Sequence, residues 1–194
     1  MFIKIKNNNK DMQELKFLRL VKFFLANPYQ EVYLRELSKK LKISPFAIKK
    51  YCDILLKEKL INEERKANLR YFKPNTSNLF FKQLKVANNI YLIQKFGLIE
   101  FLKENVANVS SIILFGSIAK GEDDEKSDVD LLIIGKDSYL DLSKFEDELG
   151  KEITLHIFSW SEWNRKAKED NPFYFEVISE GINLFGELPV VKWK

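Results

Sequence analysis

The sequence predicts an α+β protein with two folded parts joined by a helical connector. Three observations support this fold class. Apolar residues recur at helical spacing through most of residues 12–105, interrupted by one segment with the pattern of a β-hairpin. After residue 106, near-continuous apolar runs typical of buried strands alternate with helical segments, which predicts a small mixed sheet flanked by helices. The charge also changes sign: residues 1–75 hold 18 Lys and Arg against 8 Asp and Glu, whereas residues 76–194 hold 14 against 20.

These features divide the chain into residues 1–75, a helical connector at residues 76–105, and a domain at residues 106–194. The first part has a net charge of +10 and the remainder has −6, so we expect different partners for the two ends of the chain. A basic surface supplies the phosphate-binding part of nucleic-acid affinity. A Lys-rich surface that only contacts solvent is the alternative.

Composition excludes several classes of protein. Hydrophobic residues make up 45% of the chain and Gly and Pro are few, which indicates a globular protein and not a disordered one. Cys52 is the sole cysteine, so neither an intramolecular disulfide nor a cysteine-based zinc site is expected. The opening residues MFIKIKNNNK lack the apolar stretch of a signal sequence, and no apolar run is long enough to cross a bilayer. We therefore expect a soluble, cytoplasmic protein without membrane contact.

The first part begins with three predicted helices. The first spans residues 12–26 and ends at Asn27 and Pro28. The second runs from about residue 33 to 41, and Ser44 and Pro45 suit the N-cap and first position of a third, which reaches about residue 58. Apolar residues recur at helical spacing on the first helix at Leu15, Leu18, Val21, Phe24 and Leu25. Leu34, Leu37 and Leu41 share one face of the second helix, and Ile48, Cys52, Leu55 and Leu56 form an inward stripe on the third.

Two short strands should follow, at residues 60–64 and 69–73, joined by a turn near Ala67 and Asn68. This order, together with LRELSKKLKISPFAIKKYCDILLKEKLI, resembles the winged helix-turn-helix superfamily. The resemblance implies binding of double-stranded DNA, with the start of the third helix in the major groove, and a homodimer that reads two half-sites. The residues expected to contact DNA are Phe46, Lys49 and Lys50 on that helix and Arg65, Lys66 and Arg70 on the wing. Protein contact through the same fold is the alternative.

The connector is predicted to be helical, with a break near Asn88 and Asn89 or at Gly97. Beyond it, SSIILFG and VDLLIIG have the pattern of buried strands. A helix at residues 139–149, a strand at 152–158, helices at 160–168 and 173–180, and a short edge strand at 182–185 complete the predicted elements.

One motif in this part carries chemistry: LFGSIAKGEDDEKSDVDLLII, residues 114–134. Asp128 and Asp130, two residues apart on a strand, place both carboxylates on the same side. A like-charged pair held so close favours a cation between its members, and hard oxygen ligands suit Mg²⁺. Gly116 allows close approach of a ligand, and a helix starting at Ser117 would offer N–H groups to phosphate, with Lys120 one turn on. An acidic surface turn is the alternative.

Gly116 and Ser117, ten residues, then Asp128-x-Asp130 resembles the minimal nucleotidyltransferases of the DNA polymerase β superfamily, over about residues 106–186. The resemblance implies transfer of a nucleoside monophosphate from an NTP, with ATP expected, and release of pyrophosphate. It implies that Asp128 and Asp130 bind Mg²⁺ (or Mn²⁺) and act in catalysis, and that Gly116, Ser117 and Lys120 bind the nucleotide phosphates. Those enzymes also use a third carboxylate, generally an Asp on the next strand.

The sequence departs from that pattern because the third-carboxylate position is occupied by Thr154. Glu152 and His156 share its face of the strand and are the other contributors considered for this third strand. A hydroxyl is a poorer Mg²⁺ ligand than a carboxylate. Three functions therefore stay open: a DNA-binding nucleotidyltransferase with an unknown acceptor, a regulator that binds nucleotide without efficient catalysis, and an antitoxin-type adenylyltransferase acting on a small helical protein partner.

Overall fold

The structure is a computed structural model that describes residues 8–136, 139–169 and 171–191, with side chains from residue 12 onward. Residues 1–7, on which part of the signal-sequence expectation rests, lie outside the described residues. The chain divides into two compact units, Met1–Phe81 and Lys82–Lys194. None of the described helices combines the length and apolarity needed to span a bilayer.

The first unit contains three helices and a small antiparallel sheet in its described part. Its elements are α1 (Asn8–Ala26), β1 (Val32–Tyr33), α2 (Leu34–Leu41), α3 (Pro45–Lys57), β2 (Ile61–Lys66) and β3 (Leu69–Pro74). The strand order is β1–β3–β2, with both pairs antiparallel. The core is formed by side chains with at most 1% exposure, among them Leu20, Phe24, Leu37, Ile48 and Phe72.

Local sequence chemistry sets the start of α3 as predicted. Ser44 is the N-cap, its Oγ accepts a hydrogen bond from Ala47 N at 3.3 Å, and Pro45 begins the helix. The hairpin turn also falls at the predicted place, with Ala67 at a φ of +52°. Leu15 and Leu18, two of the apolar positions whose spacing predicted α1, are 57% and 51% exposed. The buried stripe of α1 passes instead through Leu20, Phe24 and Leu25, which pack on the core.

The second unit is a mixed sheet between two layers of helices. Its elements are α4 (Leu79–Lys95, which begins in the first unit), α5 (Leu98–Asn105), β4 (Ala107–Phe115), α6 (Gly116–Lys120), β5 (Val129–Lys136), α7 (Ser143–Leu149), β6 (Ile153–Phe158), α8 (Trp160–Lys168), α9 (Pro172–Glu180) and β7 (Ile182–Gly186). The strand order is β6–β5–β4–β7. β5 and β6 are parallel, and the other pairs are antiparallel.

Each face of this sheet carries its own apolar cluster. One cluster joins Leu114, Leu131 and Ile133 to helices α4, α5 and α7, and the other joins Ile113, Leu132 and Ile134 to α8 and α9; Trp163 is fully buried in the second. The expected connector supplies Ile93, Leu98, Ile99 and Leu102 to the first cluster.

Two local details refine the predicted elements of this unit. The helix break falls at Gly97, which is left-handed with a φ of +78°, and α4 runs unbroken past Asn88 and Asn89. The helix predicted at residues 139–149 begins only at Ser143. Asp141 precedes this helix, and its Oδ1 accepts hydrogen bonds from both the backbone N and the hydroxyl of Ser143, the first helical residue.

Candidate functional site

The two aspartates of the motif lie at the start of β5. Val129 between them is buried, whereas Asp128 and Asp130 are both partly exposed, as the alternation of a strand requires. Asp130 shares its sheet face with Leu132, so it lies on the side covered by α8 and α9. The carboxylate pair is therefore placed at the end of a buried strand, where one face of the sheet opens toward solvent.

Gly116 lies directly against Asp130, at the turn from β4 into α6. Its φ is +70°, and a Cβ added there would lie 2.4 Å from Asp130 Oδ2. Register explains this proximity, because Phe115 of β4 pairs with Asp130 of β5. A side chain at position 116 would occupy the space that the carboxylate uses, so the site requires glycine here for both conformation and room. Ser117 follows in the first turn of α6, whose leading N–H groups have no partner within the helix.

Electrostatics at Asp130 favour a cation. Burial raises the pKa of the Asp130 carboxyl above its usual range, and the negative charge of Asp128 raises it further. His156 opposes these effects and Glu176 adds to them. The carboxylate oxygens of Asp128 and Asp130, beside a glycine that has no side chain to crowd them, fit a hard divalent cation such as Mg²⁺. These two carboxylates are the groups that could hold it.

Thr154 lies beside Asp130 on β6. The parallel register pairs Asp130 with Thr154, and Leu132 with His156, so these side chains share one face of the sheet. A carboxylate at position 154 would therefore stand next to Asp130, but the chain has a hydroxyl there. Within the described ranges, no three His, Cys, Asp or Glu side chains are grouped closely enough to hold a metal.

Glu152 and His156, the other two residues considered for the third carboxylate, are not the residues paired with Asp130. Glu152 is exposed just before β6, and its side chain and Asp128 both line an open depression of about 600 Å³. His156 packs among aromatic rings, with its ring centroid 5.5 Å from that of Phe115 and 5.1 Å from that of Phe173.

Lys120 is engaged by two carboxylates of α9. Its Nζ lies 3.3 Å from Glu176 Oε1 and 2.5 Å from Glu180 Oε2, and the hydrogen bond to Glu180 raises the pKa of the lysine. Sequence reasoning missed Glu176, although its charge reaches Asp130. No local spacing could have identified it, because α9 begins at Pro172, well after the motif ends at residue 134, and meets α6 only through tertiary packing.

In the first unit, the predicted contact residues of α3 form one exposed surface. Phe46 is 81% exposed, and Lys49 and Lys50 are exposed beside it. Together with Ile54 and Lys57 they line a shallow groove of about 390 Å³. An exposed aromatic ring flanked by lysines gives this surface both apolar and cationic character.

The three wing residues differ in their engagement. The side chain of Arg65 is 78% exposed. Lys66 Nζ lies 2.5 Å from Glu31 Oε2. Arg70 is held most firmly: its guanidinium lies 2.7 Å from Glu63 Oε2 and 2.8 Å from Asp53 Oδ1, and it stacks over Phe72. The predicted DNA contact of Arg70 would require this guanidinium to leave two carboxylates.

Comparison with known proteins identifies the C-terminal domain. The family model described as "Polymerase beta, Nucleotidyltransferase" matches residues 97–188, which therefore form a polymerase-β-type nucleotidyltransferase domain that includes α5. No curated protein matches the sequence. Two solved structures with similarity are described as a toxin–antitoxin with AMP-PNP (21% identity, 46% of this chain, 71% of that chain, TM-score 0.34) and a mutant toxin–antitoxin MntA-HpeT (19%, 46%, 71%, 0.33).

Proposed function

We propose that the nucleotidyltransferase domain at residues 97–188 binds an NTP with Mg²⁺ or Mn²⁺ and transfers the NMP to an acceptor, with ATP as the expected donor. The observation that carries this proposal is the placement of Asp130 against Gly116, with Asp128 near enough for its negative charge to act on the Asp130 carboxyl. The arrangement puts a carboxylate pair next to a turn whose backbone can approach phosphate closely.

Each motif residue has a role in this proposal. Asp128 and Asp130 hold the cation, and Gly116 and Ser117 receive the β- and γ-phosphates. When bound, the metal supplies charge neutralisation at the phosphates. The nucleophile of the acceptor forms a bond to the α-phosphorus, and the bond from that phosphorus to pyrophosphate breaks. Lys120 can contribute to phosphate binding only after its ammonium leaves Glu176 and Glu180.

The second candidate function is nucleotide binding without efficient turnover. Thr154 stands in register with Asp130, so the side chain that would carry the third carboxylate offers only a hydroxyl. Activation of an acceptor hydroxyl then lacks its usual base, whereas Gly116 and Ser117, which we propose bind phosphate, are both present. In that case the domain would act as a nucleotide-responsive module in a transcriptional regulator.

One experiment separates the two candidates. The purified protein is incubated with α-labelled ATP, and separately with the other NTPs, with and without Mg²⁺, alongside an Asp128→Asn/Asp130→Asn double variant. Metal-dependent label transfer or pyrophosphate release that the double variant loses supports the enzyme. Nucleotide binding without chemistry supports the regulator. Absence of both binding and chemistry contradicts the proposal as a whole.

For the first unit, we propose a winged helix-turn-helix domain that binds double-stranded DNA, with α3 in the major groove. Its support is the exposed surface formed by Phe46, Lys49 and Lys50, in a part of the chain with net charge +10. Arg65 and Lys66 would contact the backbone. The test is salt-dependent binding to duplex DNA, weakened by Lys49→Ala and Lys50→Ala. An absence of binding at low salt would favour protein contact through this surface.

Two partner proposals go with these functions. A homodimer would present two copies of α3 to two half-sites, and its mass in solution tests this. An antitoxin-type role would make a small helical protein the acceptor of AMP. This alternative rests on the motif resemblance, and a neighbouring gene for a small all-helical protein that becomes labelled in the ATP assay would support it.

A further inference from the structure

A buried cluster of charges lies under the loop that leads to the two aspartates. Asp123, in the loop between α6 and β5, is 5% exposed, and Lys85 of α4 is 2% exposed. Lys85 Nζ lies 3.1 Å from Asp123 Oδ1, and Lys151 Nζ lies 3.6 Å from Asp123 Oδ2. Asn89 of α4 also donates a hydrogen bond to Asp123 Oδ1 at 3.2 Å. One carboxylate thus faces two ammonium groups and an amide.

Burial of these charges is costly unless every group is paired. Burial lowers the pKa of Lys85, and the Asp123 carboxylate opposes that effect. The ammonium groups also donate to backbone carbonyls: Lys85 to the carbonyl of Asp123, and Lys151 to those of Asp124 and Ser127, the last at 3.2 Å. Removal of one partner would leave an uncompensated buried charge, so the cluster should fix the path of the loop.

The cluster leads directly to Asp128. Ser127, whose carbonyl accepts from Lys151, immediately precedes Asp128. On the other side of Asp128, Val129 N donates to the carbonyl of Glu152 at 2.8 Å. Residues 151 and 152 therefore hold the backbone on both sides of Asp128. The Asp128 side chain therefore projects from a backbone segment that is hydrogen-bonded at both neighbouring residues, Ser127 and Val129.

We propose that Lys85, Asp123 and Lys151 are positioning residues that hold Asp128 in the orientation needed to share a cation with Asp130. This inference rests on the proposed nucleotide-binding function. A carboxylate pair that repels itself would otherwise turn apart when no cation is present, and the fixed backbone at residues 127–129 opposes this. The cluster acts on the metal through Asp128 and makes no contact with nucleotide itself.

The experiment compares Lys151→Met, Lys151→Arg and Asp123→Asn with Lys82→Met in the full chain. Lys82 is the matched control, because it pairs with Glu122 of the same loop at 2.5 Å but has no bond to Ser127 in the described contacts. Binding of Mn²⁺ in the presence of ATP is titrated by following the electron paramagnetic resonance signal of unbound Mn²⁺. Lys151→Met and Asp123→Asn should weaken Mn²⁺ binding about tenfold or more, as for other groups that orient metal ligands. Lys151→Arg should restore part of the affinity, and Lys82→Met should leave it unchanged.

A second readout needs no ligand. Amide hydrogen exchange at Val129 should be about tenfold faster in Lys151→Met than in wild type, because the bond to Glu152 opens more often. Lys82→Met should exchange like wild type. Equal effects of Lys151→Met and Lys82→Met on both readouts would overturn the inference. Wild-type protein that binds no Mn²⁺ with ATP would overturn the proposed function, while the exchange data would still show whether the cluster orders residues 127–129.

Discussion

Replacement of Gly116 by alanine should damage the site more than it damages the fold. At a φ of +70°, an L-residue is strained by roughly 1–2 kcal/mol. The added Cβ would also lie 2.4 Å from Asp130 Oδ2, closer than carbon and oxygen approach without movement, and 3.2 Å from Asp130 Cγ. The carboxylate must therefore rotate away from Gly116, and the pair with Asp128 is lost.

Gly150 provides the matched control. Its φ is +65°, nearly the same as that of Gly116, but a Cβ there would meet nothing within 4 Å. Gly150→Ala should therefore show the backbone strain alone. We expect both variants to lose about 1–2 kcal/mol of unfolding free energy. Only Gly116→Ala should also lose affinity for Mn²⁺ with ATP, by about tenfold or more, which corresponds to about 1.4 kcal/mol.

The assay follows urea unfolding by tryptophan fluorescence, since Trp160 and Trp163 lie in the second unit and the sequence has no tryptophan before residue 160. Metal and nucleotide binding are titrated on the same samples. If Gly116→Ala binds Mn²⁺ with ATP as tightly as Gly150→Ala does, then Asp130 does not need the absence of a side chain at position 116, and the reasoning is refuted.

Three further predictions follow from the same structure. Thr154→Asp should place a third carboxylate beside Asp130 and raise metal-dependent label transfer about tenfold, a gain of about 1.4 kcal/mol, while Thr154→Asn should not; equal rates in the two variants would contradict this. The Arg70 guanidinium lowers the pKa of the Glu63 carboxyl. The contribution of ionised Glu63 to the unfolding free energy is therefore fully present above the ordinary glutamate pKa and is lost as the pH falls through the lowered pKa. Glu63→Gln should therefore lower the unfolding free energy of the first unit by about 1 kcal/mol at pH 7, and a difference that persists at pH 2 would contradict this account. Burial raises the pKa of the Cys52 thiol to about 12, so a thiol reagent at pH 8 should label folded protein roughly a thousandfold more slowly than urea-unfolded protein, and comparable rates would show that the thiol is accessible.

The elements that the sequence predicted well are those determined by neighbouring residues. Ser44 and Pro45 start α3 because capping depends on residues within one turn, and the strands around the motif follow from uninterrupted apolar runs. The two-residue strand β1 was missed, because a pair of residues has no periodicity and its pairing with β3 is set by the fold. The exposed Leu15 and Leu18 show that apolar spacing identifies a helix better than it identifies the buried face.

The candidate site could be predicted only where its parts lie close together in sequence. Asp128, Asp130 and Gly116 belong to one motif of about twenty residues, and register brings Asp130 against Gly116. The partners of Lys120 and of Asp123 come from helices far along the chain, and no spacing rule connects them. Lys120 and Arg70 are predicted to contact phosphate and DNA, and each is engaged by two carboxylates of its own unit, so these contacts would require the carboxylates to be released.

The pairing of β4 with β7 has a consequence for synthesis of the chain. These are the first and last strands of the sheet in sequence, residues 107–115 and 182–186, yet they are neighbours. The edge of β4 therefore stays open on the growing polypeptide until residues 182–186 have left the ribosome. The first unit can form its own core much earlier, since residue 81 ends it. We expect the two units to fold at different times. The second unit cannot complete its sheet until β7 emerges, and we expect it to be most accessible to chaperones in that interval.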